Sequence, residues 1–276
     1  MGDRDGNFAP TRFEQLGEGE YFVRRTLETS ADYEEAYWGV VTDPDGVVRN
    51  RADDCARFLA AARAELDCIN RRPPGRLLDV GCGMGFLLSG VEEAWERHGV
   101  ELSELAAGHA AEWGEIKLGT LAEAAYSDHH FDVVVLYHVI EHVDDPESLI
   151  CEVRRILRPD GLLILGTPNF DGAMARRFGD RFRLLDDATH VSLFSEDSMR
   201  RFLRDHGFSV GHVDHPFFDT PYFTPENLSR LHDTDAVSPP FYGNVMTFHA
   251  RPMTAAVARD LVRHLDDKLG KLFANG

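Results

Sequence analysis

Two groups of side chains in this chain of 276 residues have the types and spacing that chemistry needs. The first is Asp79-Val80-Gly81-Cys82-Gly83-Met84-Gly85, with Glu101 beyond it. Glycines at alternate positions let the backbone turn sharply and let a ligand approach the amides. A helix starting directly after them aims free N–H groups and a positive dipole end at the same spot, which suits a carboxylate or phosphate. Glu101 stands about where a doubly wound fold sets an acid to accept hydrogen bonds from two ribose hydroxyls. Its plainer alternative is a solvated acid near a turn. The second group is His138-Val139-Ile140-Glu141-His142, joined further on by His190 in Asp187-Ala188-Thr189-His190. An imidazole is neutral near pH 7 and can take a proton from a hydroxyl. His190 leads as general base, with His142 and His138 in reserve; a loop-pinning histidine is the competing reading of each.

The pattern H-x-x-E-H also matches a zinc-peptidase motif, in which both histidines grip the metal and the glutamate is the base. That motif belongs inside a long helix. Here it leaves the apolar run Phe131-Asp132-Val133-Val134-Val135-Leu136-Tyr137, the mark of a strand buried on both faces. No metal is therefore expected. Glu141 and His142 either hold their loop by hydrogen bonds or meet the substrate.

The elements that must position these groups alternate between strand and helix. Strands are expected at 76–80, 99–102, 115–118, 131–137 and 162–167, and helices at 86–98, 103–113, 145–157 and from Ser195 to Gly207. Asp145 and Ser195 are good N-caps, and Pro146 suits a first helical position. Strands at 208–213 and 244–250 would complete a sheet of seven. Such alternation predicts an α/β, doubly wound, Rossmann-like, mostly parallel seven-stranded sheet with helices on both faces. Residues 1–72 read as a mainly helical N-terminal lid, with one helix over 53–69 that stops at Arg71-Arg72-Pro73-Pro74-Gly75. The core domain then spans 73–252. Residues 253–276 form an amphipathic C-terminal helix whose apolar stripe suits a homodimer contact.

The spacing G-x-G-x-G, with Phe86 where a dinucleotide fingerprint has its third glycine, favours S-adenosylmethionine over NAD. With LLDVGCGMGFL, GVELSELAA and FDVVVLYHVIEHVDDPESLICEVRRILRPDGLLILGTPN, the chain resembles the class I S-adenosylmethionine-dependent methyltransferases over about 76–213. It is most similar to the small-molecule O- and N-methyltransferases that include the quinone-biosynthesis enzymes. The resemblance implies that Asp79, Gly81, Cys82, Gly83 and Gly85 line the methionine portion of the cofactor and that Glu101 holds the ribose. It further implies that Leu102, Thr120 and Leu121 flank the adenine, and that Tyr137 and His138 stand beside the sulfonium. Many relatives carry an Asp after the third strand; this chain has Gly119-Thr120-Leu121.

Bulk properties narrow the partner. A formal net charge of -18 repels a phosphate backbone, so a small-molecule acceptor is expected and a nucleic acid is not. No apolar run approaches the ~20 residues that cross a bilayer, and no secretion signal is seen, so the chain is expected in the cytoplasm without membrane contact. Cys55, Cys68, Cys82 and Cys151 show no C-x-x-C pairing and are expected as reduced thiols. Arg176, Arg177, Arg181 and Arg183 could greet an anionic substrate or pair with nearby acids. Tyr21, Phe22, Tyr33, Tyr37 and Trp38 could cover the cofactor or anchor the N-terminal helices.

Overall fold

Strands form where apolar residues run without interruption, and the computed structural model assembles seven of them into one sheet. It describes residues 13–14, 21, 23–25, 35–43, 46–186, 189–216, 221–240 and 244–254. The strands are β1 (Arg76–Val80), β2 (Glu96–Glu101), β3 (Glu115–Leu118), β4 (Phe131–Tyr137), β5 (Leu157–Pro168), β6 (Phe208–Asp214) and β7 (Val245–Pro252). Their order is β6-β7-β5-β4-β1-β2-β3, with β7 antiparallel to both neighbours and the other pairs parallel. The doubly wound, mostly parallel architecture read from the sequence is the one observed.

Strand β4 shows why the sheet is a core element. Val134 and Leu136 pack into one apolar cluster with Phe194 and Phe202, while Val133, Val135 and Tyr137 join another with Leu77 and Leu88. Both faces are covered, so alternate residues are apolar in both directions. Chain order reverses between β1 and β4, which lie side by side with Asp79 opposite Val135 and Val80 opposite Leu136. A crevice opens at the carboxyl ends of strands at such a switch point, and both chemical groups emerge there.

Boundaries moved where tertiary contacts outweigh local pattern. The helix expected over 86–98 spans only Phe86–Gly90, because the chain turns and Glu96 pairs with Arg76 as β2 begins. Gly90 lies so close to Leu59 and Leu66 that a Cβ there would stand 2.8 Å from each. The single helix over 53–69 is two, Cys55–Ala61 and Arg63–Asn70, broken at Ala62. Strand β5 starts at Leu157 and carries Pro159-Asp160-Gly161 within it. The helices Pro146–Ile156 and Glu196–Asp205 have the expected caps at Asp145 and Ser195.

The mainly helical reading of 1–72 missed strands. Val40–Thr42 and Val48–Asn50 form an antiparallel hairpin, and Phe13–Glu14, Val23–Arg25 and Ser192–Leu193 a small sheet. The sequence signal was Asp43-Pro44-Asp45-Gly46; Gly46 has φ +81°, and Asp43 and Val47 close the turn with a 2.8 Å hydrogen bond. The helix expected over 253–276 lies outside the described residues from position 255 onward. Among the described residues, no helix is long and apolar enough to cross a membrane.

Candidate active site

After β1 the backbone turns through Gly81, Gly83 and Gly85, at φ +67°, +53° and +78°. Gly83 meets the indole of Trp38 so closely that a Cβ would collide with it. At Gly85 a Cβ would stand 2.8 Å from the Cα of Ala110, so this glycine serves helix packing and does not line the cleft. The loop's amides are less available than the sequence suggested. Gly81 N and Cys82 N donate to Val100 O at 2.8 and 3.1 Å, Gly85 N to Cys82 O at 2.9 Å, and Gly83 N to Glu101 Oε2 at 2.8 Å.

Glu101, 7% exposed, therefore does structural work. Its Oε1 also accepts from Leu102 N and Ser103 N, both at 2.9 Å. A carboxylate offers about four acceptor positions. Three are used by the backbone, which leaves one on the Gly83-bound oxygen for a ribose hydroxyl, where the sequence reading had two hydroxyls. Asp79 lies nearby, 4% exposed. Burial, reinforced by the Glu101 charge, pushes its carboxyl up to about 8.

At the end of β4, His138 takes a left-handed backbone, φ +59°, and its N–H donates to Gly166 O at 2.9 Å. That geometry swings the ring onto Glu141, with Nδ1 3.0 Å from Oε1. Thr167 Oγ1 donates to the other oxygen, Oε2, at 3.1 Å. Glu141 is fully buried. Burial alone would raise its pKa, but the His138 hydrogen bond and the charges of His138, His142 and His190 outweigh it and hold the carboxyl at about 2. His142 Nδ1 faces Thr189 O at 3.1 Å and His190 Nδ1 faces Leu184 O at 2.6 Å, with the two rings edge-on and 4.7 Å apart.

The zinc pattern joined His138 to His142. The structure instead brings ligand atoms of Glu141, His142 and His190 within 4.8 Å of one another, with His138 outside that set. Both Glu141 oxygens already accept hydrogen bonds, and the residue does not line the cleft.

The cleft holds about 720 Å³. Asp79, Gly81, Cys82, Gly83, Glu101, Leu102, Thr120, Leu121, Tyr137, His138, His142 and His190 all line it. So do residues that sequence reasoning did not single out as contacts: Arg49, Arg51, Arg57, Phe58 and Tyr222. For Arg49 and Arg51 the sequence signal is an Asp-Gly turn followed by Arg-x-Arg, which a mainly helical reading of 1–72 passes over. Arg176, Arg177, Arg181 and Arg183 are not among its lining residues. Arg176 pairs with Asp171 at 2.9 Å, Arg183 with Asp43 at 3.4 Å, and Arg177 reaches Leu231 O at 2.7 Å.

Comparison with known proteins agrees with this geometry. A family model described as a methyltransferase domain matches residues 47–213, more than half of the chain. The chain is 40% identical over 132 residues to a ubiquinone biosynthesis O-methyltransferase of Caulobacter sp. (strain K31), covering 41% of this chain and 49% of that one. It is 32% identical over 151 residues to the Azoarcus sp. (strain BH72) protein of the same name, covering 49% and 64%. The chain thus spans under two thirds of these relatives' length. Among solved structures, the [4+2]-cyclase SpnF shares the fold with a TM-score of 0.54 and 20% identity, over 72% of this chain and 82% of that one. A buried acid at the loop, a second holding Gly83, and an apolar cleft of this size fit a cationic adenosyl ligand. The chain belongs to the methyltransferase domain family, and its cofactor is S-adenosylmethionine.

Proposed function

We propose that the chain transfers a methyl group from S-adenosylmethionine to a hydroxyl or amine of a small molecule, in the biosynthesis of a quinone-like or other secondary metabolite. The observation that carries this reading is one cleft lined both by the Glu101-braced glycine loop and by His138, whose Nδ1 is held by the buried Glu141 behind it. The bound cofactor supplies an electrophilic methyl group on a sulfonium. Little covalent chemistry remains for the protein, which must align the acceptor and exclude water. Phe58, Phe86, Tyr137, Leu149 and Tyr222 give the cleft apolar and aromatic walls suited to a ring-bearing acceptor. Tyr37 and Trp38 line it from the N-terminal side, which supports a reading of the segment before the core domain as a lid. His138 is placed to receive a hydroxyl proton: if Nδ1–H donates to Glu141, Nε2 carries the free lone pair.

The likeness to a cyclase fold favours a second reading, in which the cofactor is structural and another reaction occurs. A non-catalytic, cofactor-binding partner subunit is the third. Incubating the purified chain with S-adenosylmethionine and a panel of phenols, catechols and amines separates them. The expected result is methylated product with an equal amount of S-adenosylhomocysteine, unchanged by chelators and with no stoichiometric metal in the protein. Product without S-adenosylhomocysteine supports the cyclase-type reading, and binding without product supports the partner subunit. One tightly held metal lost on His190→Ala would overturn the metal-free reading.

Asp79 predicts a pH dependence of cofactor binding. With its carboxyl at about 8 it is mostly protonated at pH 7. A cationic ligand stabilises the carboxylate and lowers that value, so binding releases a fraction of a proton approaching ~1. Affinity should therefore rise with pH from about 6 to about 8. Titration calorimetry in buffers of different ionisation enthalpy measures this directly, and Asp79→Asn should abolish the buffer dependence.

A further inference from the structure

Away from the cleft, the helix Arg63–Asn70 and strand β7 meet through a row of polar side chains. Glu65 and Cys68 have the spacing of neighbours on one helix face, and Arg72 continues that stripe just past the helix end. Thr247, His249 and Arg251 alternate along β7 and so share one face. Thr247 Oγ1 donates to Glu65 Oε1 at 2.9 Å, and Cys68 Sγ lies 3.7 Å from His249 Nδ1. Glu65 is buried, Cys68 half-buried and Arg251 exposed, so the row opens to solvent at its basic end.

Strand β6 adds a carboxylate on the far side of the imidazole. His249 Nε2 lies 3.2 Å from Asp214 Oδ2, at an angle too bent for a full hydrogen bond, and Asp214 Oδ1 faces His212 Nε2 at 2.8 Å. Thiol, imidazole and carboxylate thus stand in the order that a base-activated nucleophile needs. The carboxylate favours a proton on Nε2, which leaves the Nδ1 lone pair for the thiol. Burial holds the His249 pKa down against the pull of Asp214, with His212 adding to burial, so the ring is neutral and can accept a proton. Burial pushes the Cys68 thiol up; Arg72 and Arg251 oppose this, and Asp214 and Glu65 add to it. The resting thiol therefore keeps its proton and depends on His249 to lose it. Once deprotonated, a thiol of high pKa is the stronger nucleophile. The arrangement is a line and not a cage for a metal. Thiol and carboxylate lie at opposite nitrogens of one ring, and among the described residues these groups do not converge as ligands.

Charge selects the reagent. Arg72 and Arg251 are the cations that act on the thiol, and neither has a carboxylate partner among the described residues; Arg251 donates to the main-chain Asp160 O at 2.8 Å. We propose that Cys68 is a thiol-modification site, at which His249 and Asp214 promote exchange with a low-molecular-weight disulfide whose carboxylates are received by Arg72 and Arg251. The inference is independent of the methyl-transfer reading. In the step, the Cys68 proton passes to His249 Nδ1 as Sγ attacks one sulfur of the disulfide. The old S–S bond breaks, and the leaving thiolate takes the proton from the imidazolium and departs as a thiol. Cys68 is oxidised into the mixed disulfide and one sulfur of the reagent is reduced, so the disulfide itself is the oxidant.

The test uses glutathione disulfide as the anionic probe and hydroxyethyl disulfide as the neutral one. Peptide mapping by mass spectrometry of the folded full chain near pH 7 should find one glutathionyl group on Cys68 before any on the more exposed Cys151. His249→Gln should slow that step about 100-fold, the low end of general-base catalysis. Asp214→Asn, at a partly exposed side chain, should slow it several-fold and keeps the test open if His249→Gln folds poorly. Replacing both Arg72→Gln and Arg251→Gln should slow the glutathione reaction about 10-fold and the neutral one little. Rates are compared only among variants whose circular dichroism and Tm match the wild type. If Cys55 or Cys151 reacts first, or if Cys68 exchanges as fast in both His249→Gln and Asp214→Asn as in the wild type, the thiol is not base-activated and the proposal is overturned. If loss of the arginines slows both probes equally or neither, the preference for an anionic disulfide is overturned.

Discussion

Glu101→Ala should cost the protein both cofactor affinity and stability, each by a large amount. Three backbone N–H groups, on Gly83, Leu102 and Ser103, donate to this one carboxylate at 2.8 to 2.9 Å. Hydrogen bonds to a charged acceptor contribute about 1.5–3 kcal/mol each, and the sum is not additive for groups sharing one partner. A fall of ~2–4 kcal/mol in unfolding free energy is therefore expected. The glycine loop loses its brace at Gly83, and the ribose loses a charged acceptor, so S-adenosylmethionine should bind at least ~100-fold more weakly. Glu101→Gln should be intermediate. Its amide presents an oxygen to only one side and sets an N–H against a backbone donor on the other. Denaturant unfolding and calorimetry on the same samples separate the two effects. A variant with reduced stability and wild-type affinity would show that Glu101 braces the loop without touching the ribose.

The double duty of Glu101 also marks how far the sequence could be read. Its residue type and place at the end of β2 were legible, because a strand, a glycine turn and an acid at a set distance constrain one another. Its three backbone donors were not, since they depend on how the loop closes against the strand. The same division holds for the sheet. The central strand Phe131–Tyr137 announces itself through an unbroken apolar run buried on two faces. The helix expected over 86–98 failed because Glu96 gains a strand partner in Arg76, a contact 20 residues away that no local pattern records. The hairpin before the core domain was written locally, in Asp43-Pro44-Asp45-Gly46, and was lost to an assumption of helix. That loss hid Arg49 and Arg51 from the cleft, while the four arginines of 176–183, conspicuous by composition, pair with acids and carbonyls or stay off its lining. Charge clusters in sequence carry little about position; pairing in space decides which of them face a ligand.

His138→Ala should lower turnover on a hydroxyl acceptor by about 100- to 10,000-fold, the usual contribution of a general base. From sequence alone His190 ranks first, by virtue of its loop. The structure supplies a reason to prefer His138. It follows directly on β4, lines the cleft, and has its Nδ1 3.0 Å from a carboxylate that is buried and held anionic, at about 2. An imidazole backed in this way has its tautomer and orientation fixed, as in a nucleophile–histidine–carboxylate array. His142 and His190 turn Nδ1 to main-chain carbonyls at 3.1 and 2.6 Å, whereas His138 turns Nδ1 to the Glu141 carboxylate. Cofactor affinity should stay within a few-fold in His138→Ala, because the glycine loop and Glu101 are untouched. Glu141→Gln should reduce turnover by an order of magnitude or more while leaving His138 in place. If His190→Ala is inactive while His138→Ala turns over within a few-fold of wild type, the base is His190 and the His138–Glu141 pair only shapes the loop. If every single-histidine variant remains active on phenols but rates rise with pH toward the phenol's own pKa, the acceptor arrives as the phenolate, and the protein's part is to align it with the methyl group and exclude water.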